Sequence, residues 1–221
     1  MKRITVIYTG MGSLPNDVEK LFKQELGGDL KMHHILDSGL IGDVVAADGL
    51  TPQLEKRLTA LYDAAATTDA DLIIGACSSI GGFTERYAAE HPELKLLRID
   101  YPMARYAAEN GKKVVVMATL ATTVAPSTEL VQRLAAELGR EVETVGVTVP
   151  GAFQDLISGR LAEATEKVVA SAKETCMDAD IIILAQASMA LFKDAIRSVI
   201  TPETQLLESP STCAAYLKNL L

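Results

Sequence analysis

The sequence predicts an α/β protein built from two pseudo-symmetric flavodoxin-like lobes, each with a parallel sheet. Apolar runs typical of buried strands alternate with helical segments, and this order is typical of parallel sheets with helices on both faces. The chain also repeats itself, because DADLIIGACSS from Asp69 aligns with DADIIILAQAS from Asp178. A second pair, KRITVIYT from Lys2 and KKVVVMAT from Lys112, has nearly the same offset, which indicates two related halves.

The two halves are expected to form separate lobes, with the active site in the cleft between them. We predict that residues 1–98 and 207–221 form the first lobe and that residues 99–206 form the second. In this division the last strand and the last helix return to complete the first lobe. Cys77 and Gln186, which occupy equivalent positions of the repeat, would then face each other across the cleft.

The charge and hydropathy pattern exclude several classes of protein. The 221 residues include 21 basic and 29 acidic side chains, a net charge of −8, with no dense basic cluster. We therefore expect neither nucleic acid nor an anionic membrane as a partner. No apolar run reaches the roughly 18 residues that span a bilayer, and the first residues have a strand pattern rather than that of a leader.

The cysteines and histidines have no metal-binding spacing. Cys77, Cys176 and Cys213 form no CxxC pair, and the three histidines add no zinc motif, so we expect no metal site. Unpaired thiols are typical of a reducing compartment. Together with the charge pattern they predict a soluble cytoplasmic protein.

Strands and helices alternate through the first half. Ile4–Thr9 is predicted as a buried strand, and the turn after it is able to cap a helix that runs to about Leu26. Residues 37–49 are predicted to be irregular. The other predicted elements of this half are strand Lys31–Leu36, helix Thr51–Ala66, the strand before Cys77 with the helix after it, the strand ELKLLRID and the helix YPMARYAAEN, which ends at Gly111.

The second half repeats the pattern. A Thr-rich loop, LATTVAPST from Leu120, is predicted to lead into a helix over Glu129–Leu138, and PGAFQDLISGR from Pro150 is predicted to be a mobile connection. Leu161–Met177 is predicted as the longest helix because its apolar residues have helical spacing. The other predicted elements are strands Lys113–Ala118, Val142–Val147, Asp180–Ala185 and Gln205–Leu207 and helices Met189–Ile200 and Ser211–Leu220.

A glycine pair after the first strand, Gly10 and Gly12, is similar to the start of a dinucleotide-binding loop. Pro15 stands where the third glycine of that fingerprint belongs, and no P-loop lysine follows. We therefore expect no nucleotide site here.

Cys77 is the first candidate for chemistry, because it lies where a parallel strand ends and a helix begins. Open α/β sheets bind ligands at this edge, and the N–H groups and dipole of a helix start favour a thiolate. Cys77 is therefore expected to act as a base or a nucleophile. Ser78 and Ser79, with Thr9 from the first strand end, are expected to hold a carboxylate beside it. The alternative is that Cys77 is a small buried hydrophobic residue.

The matching strand ends of the second half supply a second set of polar side chains. These are Thr119, Thr122, Thr123, Gln186 and Ser188. Threonines before a helix often serve only as caps, but three in one loop that faces a proposed anion site also fit substrate binding. Cys176 is interpreted as structural, and for Cys213 packing is favoured over an approach to the cleft.

The paired strand-end motifs resemble a known group of enzymes. GACSSIGG, LAQASMA and, between them, VVVMATLATT are similar to motifs of the aspartate/glutamate/hydantoin racemase superfamily, which includes maleate isomerases and arylmalonate decarboxylase. The resemblance covers essentially the whole chain. It implies a cofactor-independent enzyme of two α/β lobes that binds a small carboxylic acid between two cysteines, which deprotonate and reprotonate opposite faces of a carbon.

The sequence departs from that pattern at the second cysteine. The first cysteine of the family corresponds to Cys77, but the second falls on Gln186, and an amide exchanges no proton at neutral pH. The decarboxylase branch also works with one thiol but keeps the one in the second half. Ser78 and Ser79 match the anion-holding positions of the family.

Three functions remain open. The first is an isomerase or racemase-like enzyme acting on an amino acid, hydantoin or dicarboxylate, in which Ser78, Ser79, Thr119 and Thr123 stabilise an enediolate and Gln186 orients the substrate. Strict epimerisation then needs a second proton donor, such as Cys213, a water or a substrate group. The second is a one-thiol decarboxylase or lyase in which Cys77 protonates a planar enediolate from one face. The third is a binding or regulatory protein without catalysis. In each case a small carboxylate is the expected partner, and a homodimer is the default assembly.

Overall fold

The structure, a computed structural model, describes residues 1–10 and 14–220. Gly12, the second glycine of the dinucleotide-like pair, lies outside the described residues. The chain divides into two compact units, residues 1–101 with 210–221 and residues 102–209, whereas the sequence predicts junctions slightly earlier, after residues 98 and 206. Each unit contains one parallel sheet of four strands with helices packed on it, and the predicted fold class is confirmed.

The sheet of the first unit has the strand order β2-β1-β3-β4, with every pair parallel. This order begins as the flavodoxin-like sheet does. The last helix of the chain, α10, returns to this unit. The elements are β1 (Lys2–Tyr8), α1 (Leu14–Leu26), β2 (Leu30–Leu36), α2 (Leu40–Ala46), α3 (Pro52–Ala66), β3 (Leu72–Gly75), α4 (Gly81–Glu90), β4 (Leu96–Arg98) and α10 (Ser209–Leu220).

Helices cover both faces of this sheet because β1 is apolar on both sides. Successive side chains of a strand point to opposite faces, so Ile4, Val6 and Tyr8 share a core with α1 and α10. Ile7 lies in a second core with residues of α2, α3 and α4. A strand buried on both faces is typical of a parallel sheet.

The second unit has the equivalent strand order, β6-β5-β7-β8, again all parallel. Its last strand, β8, pairs with β7. The prediction that the last strand completes the first lobe is therefore wrong. The short helical connection after β7 places β8 next to β7 in the same sheet. The elements are α5 (Tyr101–Asn110), β5 (Lys113–Ala118), α6 (Ala121–Glu137), β6 (Glu143–Thr148), α7 (Ala152–Ile157), α8 (Leu161–Thr175), β7 (Ile181–Leu184), α9 (Lys193–Arg197) and β8 (Gln205–Glu208).

Five local predictions are corrected by the structure. Residues 37–49 contain α2, and residues 150–160 contain α7. The Thr-rich loop is the first half of α6, which at 17 residues exceeds the 15 of α8. The helix predicted over Met189–Ile200 is a 3-10 turn, Ala187–Phe192, followed by the five residues of α9.

Tertiary burial explains these missed helices. Leu40 and Val44 of α2 lie one turn apart and are buried. Thr123 and Ser127 of α6 have the same spacing and are also buried. In each case packing against the sheet overrides a local sequence of glycine, β-branched residues or proline that disfavours a helix.

Candidate functional site

The sheet register of the first unit brings Thr9 and Cys77 side by side. β1 and β3 are parallel neighbours with Ile7 opposite Gly75, and Thr9 and Cys77 each stand two residues beyond that pair. Thr9 is buried, whereas Cys77 keeps partial exposure. The thiol therefore lies at the carboxyl edge of the sheet, where open α/β sheets bind ligands.

Three hydrogen-bond donors converge on the Cys77 sulfur. They are the Thr9 side chain and the backbone N–H groups of Ser79 and Ile80. Cys77 itself is extended, with φ −142° and ψ 111°, and a 3-10 turn over Ser78–Ile80 begins directly after it. The Ile80 N–H is also directed at the Cys77 carbonyl, at 3.3 Å, so this donor is shared between the carbonyl and the sulfur.

The net effect of this environment is to keep the Cys77 thiol protonated. Burial raises the pKa of the thiol, and the Asp100 carboxylate raises it further, while the bonds from Thr9, Ser79 and Ile80 lower it. Burial is the largest of these influences and disfavours the charged form. The expectation that the helix start favours a thiolate is therefore wrong in its net direction, although the N–H groups act in the expected sense.

The two serines after Cys77 differ in exposure. Ser78 is buried, and Ser79 is partly exposed. The backbone N–H of Ser79 is one of the donors to the Cys77 sulfur. Of the two serines, only Ser79 therefore combines contact with the thiol and access from solvent.

The second unit holds the equivalent pair, Thr119 and Gln186. Met117 of β5 lies opposite Leu184 of β7, so Thr119 and Gln186 stand two residues beyond the pair, as Thr9 and Cys77 do. The Gln186 Oε1 accepts hydrogen bonds from the Thr119 backbone N–H at 2.5 Å and from its hydroxyl at 2.7 Å. It also accepts a bond from the Leu120 N–H at 3.2 Å.

These contacts fix the orientation of the Gln186 side chain. Two backbone N–H groups are donors only, so the atom they face must be the carbonyl oxygen and not the amide nitrogen. The Nε2 group is therefore the end directed away from Thr119. Gln186 is partly exposed, so the side chain can offer N–H donors to a ligand but no titratable proton.

The other predicted residues of the second unit lie near these strand ends but differ in accessibility. Thr122 and Thr123 are in the first turn of α6, and Ser188 is in the 3-10 turn after Gln186. Thr123 is buried and its N–H donates to the Leu120 carbonyl at 3.1 Å. Thr122 and Ser188 keep partial exposure.

Cys176 and Cys213 are both buried in hydrophobic cores. Cys213 of α10 has no exposed surface and packs with residues of β1, β3 and α1. Cys176 follows α8 and lies in the core of the second unit. Burial raises the pKa of both thiols, so both fit a packing role and Cys213 has no path to a ligand within its unit.

Two features are absent from the described residues. Within residues 1–10 and 14–220, no group of three or more His, Cys, Asp or Glu side chains is arranged so that it could hold a metal ion. In the same residues, no helix combines the length and the apolar character needed to cross a bilayer.

The sequence matches the family profile described as Asp/Glu/Hydantoin racemase over residues 18–216. This match covers most of the chain. The chain belongs to the Asp/Glu/hydantoin racemase family. The resemblance inferred from the strand-end motifs is therefore confirmed.

Solved structures of racemases have the same fold as this family member. A glutamate racemase from Bacillus anthracis matches with a TM-score of 0.79 at 17% identity, over 100% of this chain and 81% of that chain. An aspartate racemase from Picrophilus torridus matches with a TM-score of 0.68 at 14% identity, over 99% and 94% of the two chains. An allantoin racemase from Klebsiella pneumoniae matches with a TM-score of 0.60 at 14% identity, over 100% and 87%. No curated protein matches the sequence significantly.

Sequence reasoning missed a buried ion pair beside the thiol of this racemase-family chain. Arg98 ends β4, and its guanidinium makes two parallel hydrogen bonds to the Asp100 carboxylate, at 2.9 and 2.8 Å. The two side chains are only 4% and 2% exposed. The available signal was the segment RID at the end of a buried strand, because charged side chains are rarely buried there unless they are paired.

Proposed function

We propose that this chain is a cofactor-independent isomerase of the racemase type that acts on a carbon next to the carboxylate of a small acid. The observation that carries the proposal is the environment of Cys77. Cys77 keeps partial exposure at the carboxyl edge of the sheet, and its sulfur accepts bonds from the Thr9 side chain and two N–H groups. Membership of the racemase family gives the type of reaction.

In the proposed reaction, the Cys77 thiolate takes the proton from the substrate carbon. A new S–H bond forms, and the electron pair of the broken C–H bond moves into the carboxylate, which becomes an enediolate. Hydroxyl groups of Ser78, Ser79, Thr119 and Thr123 are the candidates for stabilising this charge, since preorganised donors are effective where negative charge develops. A proton that returns from the Cys77 S–H restores the starting configuration, and a proton that water donates to the opposite face gives the other configuration.

The thiolate that this step requires is the minor form at neutral pH. The raised pKa of Cys77 makes the resting group a thiol, and a base of high pKa compensates a low population with greater basicity. The rate of proton abstraction is therefore expected to rise with pH through the neutral range and beyond.

We propose that Gln186 binds substrate and transfers no proton. Its Oε1 already accepts three bonds, which directs the amide N–H groups toward the accessible side. A carboxylate or enediolate oxygen is a suitable acceptor for such donors. The family position of the second cysteine thus supplies a hydrogen bond in this chain, and only one face of the carbon is served by a thiol.

The second candidate function is a one-thiol decarboxylase, and the raised pKa of Cys77 favours it. Here the bond to one carboxylate of a malonate-type acid breaks, CO₂ leaves, and the electron pair forms an enediolate. The Cys77 S–H then donates its proton to one face of the carbon, and water reprotonates the sulfur. A resting thiol is the correct protonation state for this step, whereas proton abstraction requires ionisation first.

The two candidates are distinguished by product configuration in heavy water. Single enantiomers of aspartate, glutamate and a hydantoin, and a prochiral arylmalonate, are incubated with the full chain and analysed by NMR and chiral chromatography. The isomerase is expected to place deuterium on the reacting carbon and to yield both configurations. The decarboxylase is expected to release CO₂ and yield one labelled enantiomer. Binding that survives Cys77→Ala, with no turnover of any acid, would instead favour a binding protein.

A further inference from the structure

The buried Arg98–Asp100 pair lies directly against the backbone that supports Cys77. A Cβ atom on Gly81 would stand 2.2 Å from the Arg98 Cζ and 2.4 Å from its Nη2. The guanidinium group therefore lies flat against the Gly81 Cα, at the first residue of α4. Only glycine leaves room for this contact.

Gly81 directly follows the turn that supplies donors to the thiol. Ser79 and Ile80, whose N–H groups bond to the Cys77 sulfur, belong to the 3-10 turn that ends at Ile80. One turn into α4, the Glu85 carboxylate lies 3.6 Å from the Arg98 Nη1. Arg98 thus contacts α4 at two points and is itself held by Asp100.

We propose that Arg98 and Asp100 form a positioning pair for Cys77: the guanidinium, fixed by Asp100, holds the Ser78–Gly81 backbone so that its N–H groups face the sulfur. The pair does not contact substrate in this scheme. The inference deepens the proposed function, in which Cys77 is the reacting group, but it is measured by the chemistry of the thiol and not by turnover.

The charged and titratable groups around the thiol determine the sign of each substitution. Asp100 raises the pKa of Cys77 and that of Cys213, which faces it from α10. Tyr62 of α3 interacts electrostatically with Cys77, Arg98 and Asp100, and burial raises its pKa. Arg98 is the cation of this group. Removing the Asp100 charge therefore leaves the positive charge of Arg98 unbalanced and favours the thiolate.

The test is the pH profile of alkylation of Cys77 in the full chain by iodoacetamide, a neutral reagent. Mass spectrometry of the tryptic peptide of residues 58–86, in which Cys77 is the only cysteine, separates it from Cys176 and Cys213. In Asp100→Asn, the amide oxygen still accepts a bond from the guanidinium, so the backbone is expected to stay in place while the negative charge is lost, and the profile is expected to move to lower pH. A lower pKa raises the thiolate fraction near neutrality but also makes the thiolate a weaker nucleophile. A rise of about tenfold in the thiolate fraction is therefore expected to increase the alkylation rate by only about threefold. A folded Asp100→Asn protein with the wild-type profile would overturn the proposal.

Glu85→Gln is the matched charge control. It removes the other carboxylate near Arg98, and the Glu85 side chain is 37% exposed, whereas Asp100 is buried and raises the pKa of Cys77. Its profile is expected to coincide with that of the wild type. An equal displacement of the profile in both variants would show a general effect of Arg98 charge and would contradict a specific role for Asp100.

A second pair of variants tests the geometry without removing any charge. Gly81→Ala places a methyl group on the guanidinium, whereas at Gly82 the nearest atom to an added Cβ is the Arg86 Nη1 at 3.9 Å. Gly81→Ala is expected to withdraw the N–H donors and move the profile to higher pH, and Gly82→Ala to leave it unchanged. Identical profiles for the two variants would overturn the proposal even if Asp100→Asn failed to fold. Another outcome is that the alkylation profile shows these changes while the chain turns over none of the acids. That result would contradict the proposed function but not the positioning role of Arg98 and Asp100.

Discussion

Thr119 donates both its backbone N–H and its hydroxyl to the side-chain oxygen of Gln186, at 2.5 and 2.7 Å. In the first unit, the Thr9 side chain makes the corresponding bond to Cys77. The same threonine position therefore supports a thiol in one half of the repeat and an amide in the other. At this position, the halves differ in the group that the threonine holds.

Replacing Gln186 by cysteine is expected to change the stereochemistry of the product. Gln186→Cys places a second thiol beside the donors of Thr119 and Leu120, at the position where the family pattern has its second cysteine. The share of the inverted, labelled configuration should then rise above that of the wild-type chain, in which no thiol serves that face of the carbon. Chiral chromatography of the deuterated product measures the ratio.

Gln186→Ala is the matched control for this gain. It removes the amide but supplies no proton donor, so binding should weaken while the ratio of configurations stays that of the wild type. The contradicting result is a folded Gln186→Cys protein that gives the same ratio of configurations as Gln186→Ala. A thiol at this position would then not transfer a proton in this chain.

Thr119→Val is expected to lower the free energy of unfolding and to weaken substrate binding. The Gln186 Oε1 loses one of three donors, a change that typically costs about 1 kcal/mol, and the amide loses part of its orientation. Urea denaturation measures the first effect and KM the second. Thr67→Val, at an exposed threonine whose hydroxyl bonds only locally to the Ala64 carbonyl, should stay within about 0.5 kcal/mol. Equal losses in both variants would contradict the role given to Thr119.

Arg98→Met is expected to destabilise the first unit strongly. It leaves the Asp100 carboxylate buried without its partner, and breaking such a pair costs about 3 to 5 kcal/mol. Arg105→Met breaks an exposed pair with Glu109, whose side chains are 44% and 40% exposed, and should cost about 0.5 kcal/mol or less. Urea denaturation at low and high salt compares them, and only the Arg105 effect should diminish with salt. Similar costs for the two would mean that the Arg98 site is solvated.

The stability of the protein is expected to fall at alkaline pH. Burial raises the pKa of Cys213 in the folded state, so above the pKa of the unfolded chain the folded state binds the additional proton. The stability that this group contributes is complete below about pH 9 and is lost as the pH rises toward the folded pKa. Unfolding free energies measured from neutral to alkaline pH should therefore have a negative slope.

Cys213→Ala should reduce that slope without abolishing it. Cys77, Cys176, Tyr8 and Tyr62 also have raised pKa values and contribute in the same direction. The comparison uses the slope and not the absolute free energy, because the substitution also changes core packing. A slope identical to that of the wild type would contradict the burial of the Cys213 thiol.

The sequence predicts the fold well where a local run of apolar residues indicates a buried strand. The apolar run of β1, the repeat that aligns β3 with β7, and the polar residues directly after them are enough to place Thr9 beside Cys77 and Thr119 beside Gln186. Parallel register fixes these pairs once the strands are identified. The family resemblance rests on the same strand-end residues.

The missed features depend on contacts between distant segments. Proline and β-branched residues at the start of α6 favour a loop in the local sequence. Burial of Thr123 and Ser127 against the sheet stabilises this segment as a helix. Likewise, no local pattern indicates that Arg98 lies against Gly81, or that desolvation exceeds the effect of the N–H donors on Cys77. Such balances between burial and hydrogen bonding require the tertiary structure.

The most direct test of the proposed chemistry is the rate of deuterium incorporation from heavy water into a turned-over acid, compared between the wild type and Cys77→Ser. The account predicts a loss of at least about a hundredfold, because a hydroxyl is a far weaker base than a thiolate, while Cys176→Ala, which removes a buried thiol of the second unit, keeps the wild-type rate. Incorporation by a folded Cys77→Ser protein at the wild-type rate would contradict the account.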